Sequence, residues 1–183
     1  NHAYSNLETI LQDLGKINEL ILFSKTTLAS HSIDEGYKLR SLLRVTIANL
    51  IKKNFSETLV HLNKVNELIS RGIINTIRNE KEKLYTLNFA RFISSLYPLL
   101  EKKNKSHESQ KIPHFGESHC LSFSHQNLSI SSKTYMIQPV LITGGKAWHF
   151  ANNKHNQWKE SLNQQIKDHT YSNKVLISFG EID

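Results

Sequence analysis

The segment Gly116-Glu117-Ser118-His119-Cys120 places a hydroxyl, an imidazole and a thiol side by side, and all three groups serve in nucleophilic catalysis. Adjacent residues need not face the same site, and Ser118 could instead cap the start of a helix. Cys120 is more typical of a small buried hydrophobic residue than of a nucleophile. Two interpretations of Ser118 therefore stay open, a site residue and a helix cap.

Other kinds of chemistry are disfavoured by the sequence. Gly144-Gly145-Lys146 is not a phosphate-binding P-loop, because Val140 stands where its first glycine is needed and Ala147 where serine or threonine is needed. The ten histidines include no pair with zinc-helix spacing and a carboxylate partner, so we expect no metal and no cofactor. Trp148 and Trp158 are expected to be core anchors rather than ligand platforms.

The elements around these segments alternate between strand and helix. In chain order they are a strand at 112–115, a helix from 118, a strand at 134–143, an amphipathic helix at 155–169 and a buried-type strand at 174–179. This alternation predicts a parallel sheet with crossover helices, in which sites lie at the carboxyl ends of the strands. Gly116 and Gly180 both fall at such ends.

Residues 112–183 resemble the N-terminal part of an SGNH (GDSL-type) hydrolase domain. Phe115-Gly116-Glu117-Ser118-His119 is similar to the first sequence block of that family, normally Gly-Asp-Ser, and Gly180-Glu181-Ile182-Asp183 to the third, normally Gly-x-Asn-Asp. The resemblance implies a partial doubly wound parallel sheet and Ser118 as the nucleophile. It also implies Gly144 or Gly145 as backbone oxyanion donors, and Glu181 and Asp183 as polar residues of the third block.

Two residues depart from the family pattern. Glu117 replaces the usual aspartate, and Ile182 stands where the family has an asparagine that stabilises the oxyanion. Losing one oxyanion donor typically lowers the rate about a hundredfold to a thousandfold. The general base implied by the family is a histidine in a late Asp-x-x-His block, which we expect beyond Asp183. We therefore expect these residues alone to be catalytically incomplete.

Residues 1–100 carry apolar side chains at helical spacing and predict stacked helical hairpins. Gly15 and Gly72 are predicted to end helices, because glycine adopts the left-handed conformation that follows a helix. Asn18 is a predicted N-cap. A long helix from 76 to 97 is predicted to end at Pro98.

The first of these hairpins resembles a tetratricopeptide (TPR) repeat. Tyr4 and Leu7 occupy positions where the repeat has a large residue and a leucine. Glu8, Leu20 and Thr27 stand where the repeat has small residues, which predicts looser or shifted packing. The resemblance implies a groove for a protein or peptide partner.

Residues 101–111 contain no apolar residue and predict a solvated linker between the TPR-like region 1–100 and the α/β domain 112–183. The net charge of +7 is spread over many segments without a base-reading motif, so we expect no specific nucleic-acid binding. No apolar run is long enough to cross a bilayer. The single cysteine suggests a reducing compartment, so we expect a cytoplasmic location.

The chain begins with Asn1 and ends soon after an apolar run, so we interpret it as an internal piece of a longer protein. Its two halves together resemble bacterial proteins in which an SGNH-like domain follows TPR repeats. We expect a scaffold for a protein partner joined to a hydrolase for an acyl or glycan ester. The alternative is a noncatalytic TPR scaffold with a degenerate α/β domain.

Overall fold

The structure, a computed structural model, describes residues 2–30, 33–103 and 110–180. The chain divides into two compact units, Asn1–Leu11 with Ile17–Glu101, and Gln12–Lys16 with Lys102–Asp183. The first unit is helical, and the second contains a four-stranded sheet with short helices. Of the predicted linker, residues 104–109 lie outside the described residues.

The described residues of the first half of the chain form five α-helices in succession. They are α1 (His2–Asp13), α2 (Ile17–Leu28), α3 (Glu35–Ile51), α4 (Phe55–Ser70) and α5 (Glu80–Lys103), with a 3₁₀ turn at Ile73–Thr76. Gly15 and Gly72 have φ of 68° and 80°, which confirms them as the residues that follow helix ends. The prediction for Asn18 was wrong, because α2 already begins at Ile17 and Asn18 lies in its first turn.

The predicted end of the long helix at Pro98 was also wrong, because α5 continues to Lys103. Proline removes one backbone donor and crowds the preceding turn, which normally interrupts a helix. Here Leu96, Tyr97 and Leu100, which flank the proline, are all at least nine-tenths buried. Tertiary burial of this stripe therefore outweighs the local cost of the proline.

Glu8 is fully buried in the helical unit, where the TPR pattern has a small residue. Its carboxylate accepts hydrogen bonds from Ser24 of α2 and from Ser41 and Arg44 of α3. The small residues thus stand on the facing helices, where they leave room for the carboxylate and satisfy it. Among the described residues, no helix is long and apolar enough to span a membrane.

The sheet consists of β1 (Gln110–Gly116), β2 (Asn127–Ile130), β3 (Lys133–Leu141) and β4 (Leu176–Ser178), with α6 (Ala147–Ala151) and α7 (Gln157–Asp168) between β3 and β4. Its order is β2-β3-β1-β4. β1 is parallel to both β3 and β4, whereas β2 is antiparallel to β3. The sheet is therefore mixed, and the prediction of a purely parallel sheet was wrong.

The difference arises in the connection between β1 and β3. Where a crossover helix was expected from Ser118, the chain forms a 3₁₀ helix, Ser118–Phe123, and then β2. β2 joins β3 through Ser131 and Ser132, which both have positive φ. Two-residue hairpin turns need that conformation, but their usual sequences are Asn-Gly or Asp-Gly. The residues Ser131-Ser132 therefore did not predict a hairpin from the sequence.

β4 differs from its prediction as a buried strand. It pairs with β1 at one edge of the sheet, and the side chain of Ile177 is 61% exposed. The apolar core of the sheet lies instead on the central strands, at Ile112, Tyr135 and Ile137. An apolar run by itself does not distinguish a central strand from an edge strand.

Candidate active site

β1, β3 and β4 are parallel, and the direction in which successive strands are added to the sheet reverses at β1. β3 follows β1 in the chain and lies on one side of it, whereas β4 follows β3 and lies on the other side. In open α/β sheets, ligands bind in the crevice that such a reversal leaves beyond the carboxyl ends of the strands. Here those ends are Gly116 on β1 and Ser178 on β4, which are direct neighbours in the register.

Gly116 is required where β1 and β4 meet. A Cβ on this residue would lie 2.5 Å from Oγ of Ser178, 2.8 Å from the Ser178 carbonyl oxygen and 3.0 Å from Cβ of Cys120. Two of these atoms belong to the neighbouring strand, and one of the two is backbone. The strand ends can approach this closely only because residue 116 has no side chain.

Ser118 is the first residue of the 3₁₀ helix and is half-buried, two positions after the end of β1. The N-cap position is occupied by Glu117, so the interpretation of Ser118 as a helix cap was wrong. No side chain of the described residues hydrogen-bonds to the Ser118 hydroxyl. A general base for this serine is therefore not among the described contacts.

The two candidate oxyanion glycines follow the carboxyl end of β3, which is paired with the carboxyl end of β1. Gly144 has a φ of 69°, and the amide of Gly145 donates to the carbonyl oxygen of Ile142 at 3.2 Å. The Gly145 donor is thus used within its own turn, which makes Gly144 the better candidate. The Ile142 amide donates to the Gly116 carbonyl oxygen at 2.8 Å and holds the ends of β1 and β3 together.

Two predicted site residues, Glu181 and Asp183, lie outside the described residues, as does Ile182. The description of this segment ends at Gly180, which is exposed. Of the third block the structure therefore describes Gly180, which lies two positions after the end of β4.

A buried histidine on β1, which was not among the predicted site residues, lies two positions before Gly116. Nε2 of His114 is 2.8 Å from Oγ of Ser178, and the side chain of His114 is only 4% exposed. Burial lowers the pKa of His114, so the imidazole is neutral near pH 7. Its Nδ1 has no hydrogen-bond partner among the described residues. A lone histidine within the apolar run of β1 was the signal available in the sequence.

Cys120 is fully buried, as its type suggested. Burial raises the pKa of its thiol to about 12, and the backbone near Val140 opposes this only in part. A thiolate is the reactive form of cysteine, so Cys120 is unsuited to be a nucleophile.

Aromatic side chains surround the Gly144-Gly145 turn. The ring of His149 stacks on Trp158 with centroids 3.5 Å apart, and Nε1 of Trp158 donates to the carbonyl oxygen of Thr143 at 3.2 Å. Trp148, which contacts the ring of His149, is 61% exposed, so its prediction as a core anchor was wrong. Burial and the nearby Lys146 ammonium lower the pKa of His149 below its ordinary value.

Within the part of the chain that the structure describes, no three histidine, cysteine or acidic side chains come together as a possible metal site. No protein-family model matches the chain, and none of the curated proteins or solved structures compared with it matches.

Proposed function

We propose that the sheet unit is an SGNH-like domain that hydrolyses an ester or acyl group, and that the helical unit is a TPR-like scaffold for a protein or peptide partner. The observation that carries the hydrolase proposal is the meeting of Gly116 and Ser178 where the strand order reverses. Ser118 follows this contact directly. The first of the two family-like segments and Gly180, the described start of the second, thus follow neighbouring strands.

In the proposed reaction, Oγ of Ser118 attacks the acyl carbon and its proton passes to a general base. The family resemblance locates that base beyond Asp183. The amides of Ser118 and Gly144 are candidates to stabilise the negative oxygen of the intermediate. The alcohol or amine then leaves with a proton, and water hydrolyses the acyl-serine.

The scaffold proposal is supported by the way alternate helices join. Glu8 of α1 pairs with Arg44 of α3, and Arg40 of α3 pairs with Glu82 of α5. In the helical unit, α1, α3 and α5 are therefore linked in succession. Helices joined to one another in succession are typical of helical repeats, whose surfaces bind partners.

A noncatalytic sheet unit is the second candidate. It is favoured by the absence of any described side chain bonded to the Ser118 hydroxyl and by Ile182 at the expected asparagine position. In that case the same crevice would bind an acyl or glycan ligand without cleaving it.

The two candidates are distinguished by Ser118→Ala in the full-length protein, with hydrolysis of 4-nitrophenyl acetate as the assay. Ser122→Ala is the matched control, because Ser122 lies on the same 3₁₀ helix and is also half-buried. A hydrolase should lose nearly all activity with the first substitution and keep it with the second. Covalent labelling by a fluorophosphonate should likewise require Ser118. Equal activity in both variants, or none in the native protein, would reject the proposed nucleophile.

A further inference from the structure

The imidazole of His114 and the hydroxyl of Ser178 lie on the same face of the sheet. In the register of β1 and β4, His114 pairs with Leu176 and Gly116 pairs with Ser178. Side chains two positions apart share a face of the sheet, so the imidazole reaches diagonally across to the hydroxyl. Gly116 leaves this path open, because Oγ of Ser178 is only 2.5 Å from the position that a Cβ on Gly116 would occupy.

The surroundings of the imidazole indicate which nitrogen atom carries its proton. Burial lowers the pKa of His114, which favours the neutral ring with one N–H group. Nδ1 is buried and has no hydrogen-bond partner among the described residues, whereas Nε2 lies 2.8 Å from Oγ of Ser178. A buried N–H group is rarely left without an acceptor, so the proton belongs on Nε2. Nε2 therefore donates its hydrogen bond to the oxygen of Ser178.

This arrangement directs the Ser178 hydroxyl proton away from the imidazole. A serine oxygen that accepts one hydrogen bond still has its own O–H to donate. Among the described residues, His114 is the one side chain bonded to this hydroxyl. Ser178 is half-buried at the carboxyl end of β4, and ligands of open α/β sheets bind beyond that end where the strand order reverses. The O–H of Ser178 is therefore available to an oxygen atom of a bound ligand.

The candidate hydrolase site needs such a donor. Ile182 stands where the family that residues 112–183 resemble has an asparagine that stabilises the oxyanion. The hydroxyl of Ser178 lies against Gly116, and the candidate nucleophile Ser118 follows Gly116 by two positions. A hydroxyl donor close to the reacting carbonyl group can stabilise the negative oxygen in place of the missing amide.

We propose that Ser178 donates a hydrogen bond to the oxyanion formed when Ser118 attacks the substrate, and that His114 is the positioning residue that orients the Ser178 hydroxyl. Ser178 keeps its proton throughout, so it serves neither as a nucleophile nor as the general base. This inference rests on the hydrolase part of the proposed function and adds a residue to that site. A donor to the oxyanion acts mainly in the transition state, so its loss should lower kcat and leave KM nearly unchanged.

The test measures kcat and KM of the full-length protein for 4-nitrophenyl acetate. Ser178→Ala should lower kcat about a hundredfold or more, with KM changed by less than about threefold. Ser172→Ala is the matched control and should keep the native kcat, because Ser172 is half-buried in the segment before β4 and its Oγ donates to the carbonyl oxygen of Lys174 at 2.8 Å. The urea midpoint of each variant shows whether it is folded.

Two substitutions of His114 separate positioning of the hydroxyl from packing of the ring. The carboxamide of glutamine can donate to Ser178 as Nε2 does, whereas leucine fills the space without a donor. We expect His114→Gln to keep most of the native kcat and His114→Leu to lower it about tenfold or more, with KM nearly unchanged. In the native protein labelled with ¹⁵N-histidine, NMR should show the proton of His114 on Nε2, and the signal is assigned by its absence from His114→Gln.

The outcomes distinguish the role of Ser178 from the hydrolase function itself. If Ser118→Ala is inactive but Ser178→Ala keeps the native kcat, the hydrolase function stands and the role of Ser178 is overturned. If the native protein does not hydrolyse the ester, or if Ser118→Ala stays active, the hydrolase function fails and the oxyanion donor fails with it. A proton on Nδ1 of His114, or equal kcat of His114→Gln and His114→Leu, would reject the positioning role of His114.

Discussion

Gly116 and Ser178 touch so closely that a single methyl group on Gly116 would overlap the Ser178 hydroxyl and carbonyl oxygen. The two residues are register partners at the carboxyl ends of β1 and β4. They meet where the strand order reverses, and Gly116 is two positions before Ser118 in the chain. Any enlargement of residue 116 must therefore separate the strands or displace the loop that follows β1.

Gly116→Ala should lower the free energy of unfolding by about 1–3 kcal/mol, the usual cost of forcing an extra carbon into a packed region. Urea denaturation followed by tryptophan fluorescence measures this change. Gly180→Ala is the control, because a Cβ at Gly180 would have no neighbour within 4 Å. Equal stability of the two variants would contradict the close contact between β1 and β4.

The positions of β1, β3 and β4 were predictable, because their apolar runs stand between polar segments, whereas β2 was not predicted. The contact between His114 and Ser178 was not, since these residues are 64 positions apart and neither belongs to a motif. Sequence periodicity indicates which residues form a strand, but it does not indicate which strands become neighbours. The sequence therefore predicted candidate residues only in the segments that follow strands, whereas the contact of the His114 imidazole with Ser178 depends on the strand order.

The buried imidazole of His114 should make stability depend on pH. Its pKa in the folded protein lies below the ordinary value of 6.5, so the unfolded chain takes up a proton first as the pH falls. The contribution of His114 to stability is therefore complete above about pH 6.5 and is lost as the pH falls toward the folded pKa. The slope from this one group cannot exceed about 1.4 kcal/mol per pH unit.

Urea denaturation at several pH values between about 5 and 8 measures this slope. His114→Gln should flatten it, even if the substitution also lowers stability at every pH. His155→Gln serves as the control, because His155 is exposed. If both variants keep the native slope, protonation of His114 does not contribute to acid destabilisation.

The pair of Arg44 and Glu8 should be essential to the helical unit. Arg44→Met leaves the Glu8 carboxylate buried without a cation, and such a loss typically costs about 3–5 kcal/mol. Thermal or urea unfolding followed by circular dichroism at 222 nm, the usual helix signal, measures it. Arg71→Met is the control, since Arg71 and Glu67 form an exposed pair at 3.6 Å that should contribute about 1 kcal/mol or less. Similar losses of stability in the two variants would show that the buried Glu8–Arg44 pair contributes no more than an exposed ion pair.

Glu8 also shows why the TPR sequence pattern does not by itself predict how the helices pack. The substitution of a small residue by glutamate predicted disturbed packing, because the pattern considers one position at a time. Ser24 and Ser41 on the facing helices provide both the space and the hydrogen bonds that a carboxylate needs. Compensation of this kind involves three helices and can be recognised only when their contacts are known.

The turn between β2 and β3 offers a prediction in which stability should increase. Ser131 and Ser132 have φ of 48° and 66°, a conformation that costs an ordinary residue about 1–2 kcal/mol. Asparagine tolerates it and glycine adopts it freely, although glycine loses about 0.5–1 kcal/mol in chain entropy on folding. Combining Ser131→Asn with Ser132→Gly should therefore raise the free energy of unfolding by about 1 kcal/mol, measured as a higher urea midpoint with an unchanged slope. Ser132→Val should have the opposite effect, because a β-branched residue is poorly suited to positive φ. If both changes lower the midpoint, the two strands are not joined by this tight turn.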